Sequence, residues 1–307
     1  MMGNNIFNDM KKATSSASRR SALKKIAGTT TAAVLGTTLS NRVKAAETTL
    51  TPALKGKINH SVCRWCYRDI SLDDLCKSAK DIGIASIELT GPEEWPTLQK
   101  YGLTSALPWG AGKGIVDGFN DLSLHDELIK SYTDVIPKAA AAGLTQIICF
   151  SGNRKGMDDE KGMENCAIGL KKLMPVAEKY KVTMVMELLN SKVDHKDYMC
   201  DHTTWGAALC DKVGSDRFKL LYDIYHMQIM EGDVIATIKK YQKYISHYHT
   251  GGVPGRHEID DTQELHYPAI MAAIVETGYK GFVAQEFIPA RPDKIASLKQ
   301  GVNICDV

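Results

Sequence analysis

The sequence predicts a (β/α)8 barrel, and three observations carry that prediction. Short apolar runs alternate with amphipathic stretches in eight successive units from residue 58 onward. The runs are apolar at nearly every position, as strands covered on both faces must be, which is the mark of a parallel sheet under helices. No Gly-x-Gly-x-x-Gly follows the first run, which sets aside a doubly wound dinucleotide-binding sheet. A barrel needs about 250 residues, and the chain has 307.

The first strand is expected at Ile58–Val62. Ser71 then caps a helix with Asp73 and Asp74 in its first turn, Leu75, Ala79 and Ile82 on its apolar face, and Gly83 at its end. The second strand is Ile84–Glu88, followed by a short helix over Pro92–Tyr101 and a third strand, Leu103–Trp109. A Gly-rich loop, residues 110–118, leads into a long helix from Leu124 to Ala142, and Leu144–Phe150 is the fourth strand. The helix from Asp159 to Tyr180 contains Pro175, where a kink is expected. Strand five is Val182–Glu187, then a helix from His202 to Val213, then strand six, Phe218–Asp223, with His226 in the loop beyond it. The last units pair a helix over Asp233–Tyr241 with a strand over Tyr244–His249, and a helix over Tyr267–Thr277 with a strand over Gly281–Glu286. Pro292 to Gly301 is the final helix.

The N-terminal residues read differently from the rest. Ser18-Arg19-Arg20-Ser21-Ala22-Leu23-Lys24-Lys25 precedes a weakly apolar run, Ile26 to Leu39, and then Val43-Lys44-Ala45-Ala46. A charged region, a short apolar region and an Ala-rich cleavage site stand in the order of an export signal, and the twin arginines resemble the Tat type. Those fourteen apolar-leaning residues are too few to span a bilayer, so no stable membrane anchor is expected. The division is therefore a signal over 1–46 and a single catalytic barrel over 47–307, destined for the periplasm. Residues 1–46 hold eight Lys or Arg and one Asp, leaving 30 basic against 35 acidic residues, a net charge of −5 on the barrel. That balance argues against a nucleic-acid surface. The eight cysteines are expected as buried thiols: a chain this long does not need a disulfide framework, and Cys63-Arg-Trp-Cys66 is a lone CxxC that closes a strand.

Chemistry concentrates at strand ends. Four consecutive predicted strands finish in a potential metal ligand: Glu187, Asp223, His249 and Glu286. The carboxyl ends of neighbouring barrel strands converge, so these side chains are expected to meet. One polar strand end is ordinary; four in succession are not. Three carboxylates in a dry pocket repel one another unless a cation neutralises them. An oxygen-rich set with one nitrogen suits Mn2+ first, with Co2+, Mg2+ or Zn2+ also within its range. His247 and His249 point the same way, and position favours His249 as the ligand. Glu88, ending the second strand, is an acid placed to stand behind the ligands, and Trp65, Trp109 and Phe150 are candidate pocket walls. The methionines at 184, 186, 227 and 230 are expected in the core.

From about residue 58 to 290 the chain resembles the hydroxypyruvate isomerase family within the xylose-isomerase-like TIM barrels. The residues that carry this are Leu-Tyr-Asp-Ile-Tyr-His-Met-Gln-Ile-Met-Glu-Gly-Asp at 221–233, Val-Pro-Gly-Arg-His-Glu at 253–258 and Gly-Tyr-Lys-Gly-Phe-Val-Ala-Gln-Glu at 278–286. The resemblance implies a divalent metal held by Glu187, Asp223, residue 249 and Glu286, with Glu187 and Glu286 as the acid/base pair. It implies the conversion of hydroxypyruvate to tartronate semialdehyde through an enediolate. His249 departs from it, because hydroxypyruvate isomerases look to carry Gln there. His247-Tyr-His249-Thr250-Gly251 resembles instead the ketose 3-epimerases of the same superfamily.

Both chemistries remove a proton next to a carbonyl, which requires a base, an electrophile for the enediolate oxygens and an acid. His226 is expected to contact a substrate oxygen, and Arg256 to bind a carboxylate bidentately; His257 and Glu258 are weaker candidates. The expected partner is a small sugar or hydroxy-keto acid, and a homo-oligomer is compatible with it. Two other classes fit the residues less well. An endonuclease-IV-like barrel calls for a His-rich zinc cluster and a basic face, and an exported sugar-binding protein would not need the Glu187/Glu286 pair.

Overall fold

A computed structural model describes residues 53–307, so the export-signal reading of 1–46 lies outside the described residues. The elements alternate along the chain: β1 (Asn59–Cys63), α1 (Leu72–Ile82), β2 (Ser86–Glu88), α2 (Trp95–Lys100), α3 (His125–Ala141), β3 (Gln146–Cys149), α4 (Asp159–Tyr180), β4 (Thr183–Glu187), α5 (Thr203–Val213), β5 (Phe218–Asp223), α6 (Ile224–Met230), α7 (Val234–Tyr241), β6 (Ile245–Thr250), α8 (Tyr267–Glu276), β7 (Phe282–Gln285) and α9 (Lys294–Cys305). All strand pairs are parallel, in the order β2-β1-β7-β6-β5-β4-β3. Local chemistry explains the boundaries. Ser71 Oγ accepts the Asp74 N–H to cap α1, and Gly83 ends it at φ 94°, a conformation that favours glycine. Asp158 caps α4 in the same way, and that helix continues through Pro175 to Tyr180.

Among the described residues the sheet has seven strands, not eight. The expected third strand, Leu103–Trp109, is an extended stave with only one isolated bridge, Ser86 to Thr104. Two residues account for this. Pro108 has no N–H to donate, and the Ala106 N–H goes to the Ser86 hydroxyl at 2.8 Å instead of to a carbonyl. The stave still closes the barrel. Ile87 N and Leu89 N donate to Thr104 and Leu107 on one side, and Ile148 N donates to the Pro108 carbonyl on the other.

A second difference lies after β5. Residues 224–230, expected as loop, form α6, whose first turn is capped by the strand's last residue: Asp223 Oδ1 accepts the His226 N–H at 3.1 Å. Polarity misleads there, because Ile224, Tyr225, Met227 and Met230 all turn into the core. The methionines at 184 and 186 are likewise buried, and all eight cysteines are buried free thiols, as expected.

The register of the strands positions the site. Between β5 and β6 the pairing slips at Leu220/Leu221, which brings Asp223 level with His249. Next to it, His249 pairs with Ala284 of β7 and Glu187 of β4 pairs with Leu221. The rim above is held by backbone. Phe119 N, Asn120 N and Asn153 N bond across to Phe150, Ser151 and Val116, lashing the 110–121 loop to the segment after β3.

A Cβ placed on Gly118 would lie 2.3 Å from Gly152 N and 2.5 Å from the Phe150 carbonyl oxygen, both backbone atoms. Gly118→Ala is therefore expected to cost about 2 kcal/mol, the middle of the range for overpacking. In a domain this size that is a fall in Tm of about 4–8 °C, readable in a calorimetric scan.

Candidate active site

Four side chains able to ligate a metal arrive at one point from four neighbouring strands. Glu187 and Asp223 are the last residues of β4 and β5, His249 is the last but one of β6, and Glu286 follows β7 directly. All are buried, and one ligating atom from each lies within 4.8 Å of the others. The centre of the cluster is His249 Nδ1, which stands 2.8 Å from Glu286 Oε2, 3.6 Å from Glu187 Oε1 and 4.0 Å from Asp223 Oδ2. Its other nitrogen, Nε2, faces away to Glu88 Oε1 at 2.7 Å.

Charge is unevenly compensated within the group. Burial raises the Glu187 carboxyl above its ordinary value, and burial together with Glu286 raises Asp223 well above it. Burial acts on Glu286 too, but the His249 ring and the Arg256 guanidinium overcome it and hold that carboxyl well below its usual range. Arg256 Nη2 is 2.7 Å from Glu286 Oε2 and 3.6 Å from Asp223 Oδ2, and the Trp65 indole N–H donates to Glu286 Oε1 at 2.7 Å. Glu187 Oε1 and Asp223 Oδ2, by contrast, are buried oxygens with no hydrogen-bond partner. Two orphaned carboxylate oxygens beside an imidazole nitrogen fit a small divalent cation, which would satisfy both.

The other expected residues are placed as follows. Arg256 lines the cavity, its guanidinium between the rings of Trp65 and Tyr225 at 5.2 and 5.3 Å, with Nε buried and unpaired. The backbone of Arg256 sits at φ 59°, an unusual region for a side-chain-bearing residue, fixed by its N–H to the Gly252 carbonyl. His226 is fully buried beside Asp223, on α6, and is not among the residues lining the cavity. Asn190 Oδ1 accepts the Val193 and Asp194 N–H groups, so its amide nitrogen must be the group 2.6 Å from His226 Nδ1. His226 Nδ1 is thus an acceptor, and its proton sits on Nε2, 3.7 Å from Asp223 Oδ2. Burial and the Arg256 charge hold this ring well below the usual imidazole range.

His257 and Glu258 do not join the cluster. His257 is exposed and bonds the Ile288 carbonyl, while Glu258 collects the Ala290 and Arg291 N–H groups and the Ser297 hydroxyl, tying down the loop after β7. Trp65, Trp109 and Phe150 all line the cavity, which has a volume of about 420 Å3. Two participants have no strand-end signal. His195, in the irregular segment after β4, lines the cavity and stands edge-on to His226 at 5.3 Å, and Asn190 sets the His226 tautomer from the same segment. Glu88 does carry the signal, at the end of β2. Its Oε1 also takes His247 Nε2 at 2.8 Å, and although burial opposes it, His247 and His249 hold its carboxyl at about 2.

A family model described as a xylose isomerase-like TIM barrel matches residues 76–303. The chain belongs to that family. A 2-oxo-tetronate isomerase of Cupriavidus necator is 37% identical to this xylose isomerase-like barrel over 108 residues, covering 35% of the chain and 41% of the relative. A putative hydroxypyruvate isomerase of Homo sapiens is 33% identical over 114 residues, with 37% and 41% covered. The matched stretch thus spans about two-fifths of these curated relatives. Among solved structures, an AP endonuclease of family 2 from Brucella melitensis superposes with a TM-score of 0.71 at 21% identity, covering 80% of this chain and 99% of that one. At that identity the likeness establishes the fold.

A buried acid with a raised folded value favours the unfolded chain once both forms ionise, so Glu187 opposes folding as pH climbs through the carboxyl range. In chelated protein Glu187→Gln is therefore expected to melt about 3 °C higher than the parent chain at pH 8. The gain should shrink towards pH 4, where both forms are neutral; thermal melts at the two pH values in chelator check it.

Proposed function

We propose that this barrel is a metal-dependent isomerase that interconverts a keto and an aldehyde form through an enediolate, in the manner of hydroxypyruvate isomerase. The observation that carries this is the meeting of Glu187, Asp223, His249 and Glu286 at one point, with two glutamates flanking the cluster and opening onto the cavity. The names of the relatives support it, since both are isomerases of short hydroxy-keto acids by title. Glu187, Asp223, His249 and Glu286 would hold the ion, with Mn2+ the first expectation from their oxygen-rich donor set. When bound, that ion supplies a Lewis acid for the carbonyl and its neighbouring hydroxyl.

The protein's own residues do the rest. Glu187 and Glu286 are the groups at hand for the two proton transfers, one taking the proton from the hydroxymethyl carbon and the other returning a proton to the former carbonyl carbon. The hydroxyl proton passes between the two oxygens, so tartronate semialdehyde differs from hydroxypyruvate only in where its hydrogens sit. Arg256 lines the cavity, so its guanidinium is the group at hand for a substrate carboxylate. The His226 Nε2–H is a donor 3.7 Å from Asp223 Oδ2, at the edge of the cluster.

A second reading is a ketose 3-epimerase, and one specific observation favours it. Much of the cavity lining is apolar: Leu89, Trp109, Ile115, Ile148 and Phe150 all contribute to it. A three-carbon acid has no apolar part to set against it, whereas the C–H faces of a longer sugar chain do. The same proton chemistry at one carbon, with return to its opposite face, gives epimerisation.

Turnover of hydroxypyruvate, 2-keto-tetronates and free ketoses by the chain loaded with Mn2+ separates the two readings. Glu286→Gln and Glu187→Gln are each expected to lower kcat by about 10²–10⁴ with metal still bound. Full activity in either variant would remove that residue from the acid/base role. The twin-arginine reading of residues 1–46 belongs to the same proposal: the folded, loaded enzyme is exported to the periplasm. Cell fractionation checks this, with Arg19→Lys/Arg20→Lys expected to retain the chain in the cytoplasm.

A further inference from the structure

We infer that Glu88 is a positioning residue for the ligand His249, fixing the ring so that Nδ1, and not Nε2, is presented to Glu187, Asp223 and Glu286. This rests on the metal reading given above and adds a residue that touches neither the ion nor the substrate.

Glu88 ends β2 and reaches across the barrel interior, two strands past β1 and β7, to the rings on β6. It is fully buried. Oε1 meets His249 Nε2 at 2.7 Å and His247 Nε2 at 2.8 Å, while Oε2 takes the Ser61 hydroxyl at 2.6 Å. The Cys63 thiol, level with Glu88 in the β1–β2 register, is the remaining neighbour, 4.0 Å from Glu88 Oε1 and 3.8 Å from His249 Nε2. A carboxylate only accepts, so each ring nitrogen facing it must carry a proton. A neutral imidazole has one N–H. Nδ1 also faces a carboxylate here, Glu286 Oε2 at 2.8 Å. Where a cation takes the place of a proton on Nδ1, the N–H that remains is the one on Nε2 held by Glu88, and the Nδ1 lone pair points at the three acidic oxygens.

Without Glu88 the ring has a competing arrangement that removes the ligand. The Nδ1–H tautomer would donate to Glu286 at the 2.8 Å separation already present, and no lone pair would face the cluster. His247 shares the same oxygen, with its ring edge-on to His249 at 5.2 Å, but it is not one of the four residues of the cluster, and its Nδ1 is buried without a hydrogen-bond partner. The two histidines therefore use one acid for different ends: His249 is aimed by it, and His247 has only its Nε2 satisfied by it. Outer groups of this kind fix ring orientation and raise ligand basicity.

Calorimetric titration of the chelator-stripped full chain with Mn2+ alone tests this, with circular dichroism and melting to confirm folding. Glu88→Gln keeps an acceptor oxygen and loses the charge; Glu88→Met loses both at similar volume. Affinity is expected to fall about tenfold in the first and about 100-fold in the second. His247→Gln serves as the comparison, expected to lower Tm while leaving Mn2+ affinity within about threefold of the parent. Folded Glu88 variants that bind Mn2+ as the parent does would overturn the inference, as would a His247→Gln loss equal to that of Glu88→Gln. If Glu88→Met does not fold, Glu88→Gln decides alone. A parent chain that takes up no Mn2+, Co2+, Mg2+ or Zn2+ would instead overturn the metal reading.

Discussion

Everything at the carboxyl rim of this barrel depends on one electrostatic conflict: three carboxylates brought into a dry space around a single imidazole nitrogen. No isolated strand end creates that conflict. It arises because parallel strands converge and four successive ones finish in Glu, Asp, His and Glu. The protein resolves it only in part. Arg256 and the Trp65 indole attend to Glu286, while one oxygen each on Glu187 and Asp223 is left without a partner. A fold that leaves buried acids unpaired accepts a loss of stability at that point, and function is the usual reason.

Support for the cluster comes from beneath and from the sides. Below lies a polar layer of Ser61, Glu88, His247 and His249 inside the barrel, where a purely structural interior would be aliphatic. To one side, Asn190 uses both ends of its amide, the carbonyl on the following turn and the nitrogen on His226. To the other, Arg256 is clamped between two aromatic rings and held by its own backbone. Side chains restrained in this way keep their geometry without a ligand to organise them.

Much of this was legible in the sequence, for identifiable reasons. Strand ends could be found because buried parallel strands are apolar at every position, so the first acid after such a run stands out: Glu187, Asp223 and Glu286 all read this way. The third strand was over-read, since Leu103–Trp109 is apolar enough for a strand but Pro108 and the Ser86 hydroxyl deprive it of a ladder. Residues 224–230 were under-read, because Asp223 serves at once as strand end and helix cap, and only tertiary packing reveals that the apolar residues after it turn inward. His195 and Asn190 lay outside reach altogether. They sit in an irregular segment with no periodicity, and nothing but the folded chain brings that segment over the cavity.

The slip in pairing between β5 and β6 has a consequence for how such a site can change over time. Asp223 stands level with His249 only because β6 carries its extra residue before the histidines. Were Ser246 paired in regular register opposite Leu221, Tyr248 would occupy that level. The identity of the ligand set is thus stored partly as a length. One codon inserted near the start of β6, leaving every ligand codon intact, would slide the strand by a residue and bring the Tyr248 phenol to the level the His249 imidazole holds. Substitution can retune this centre gradually, but insertion and deletion in β6 act on it all at once.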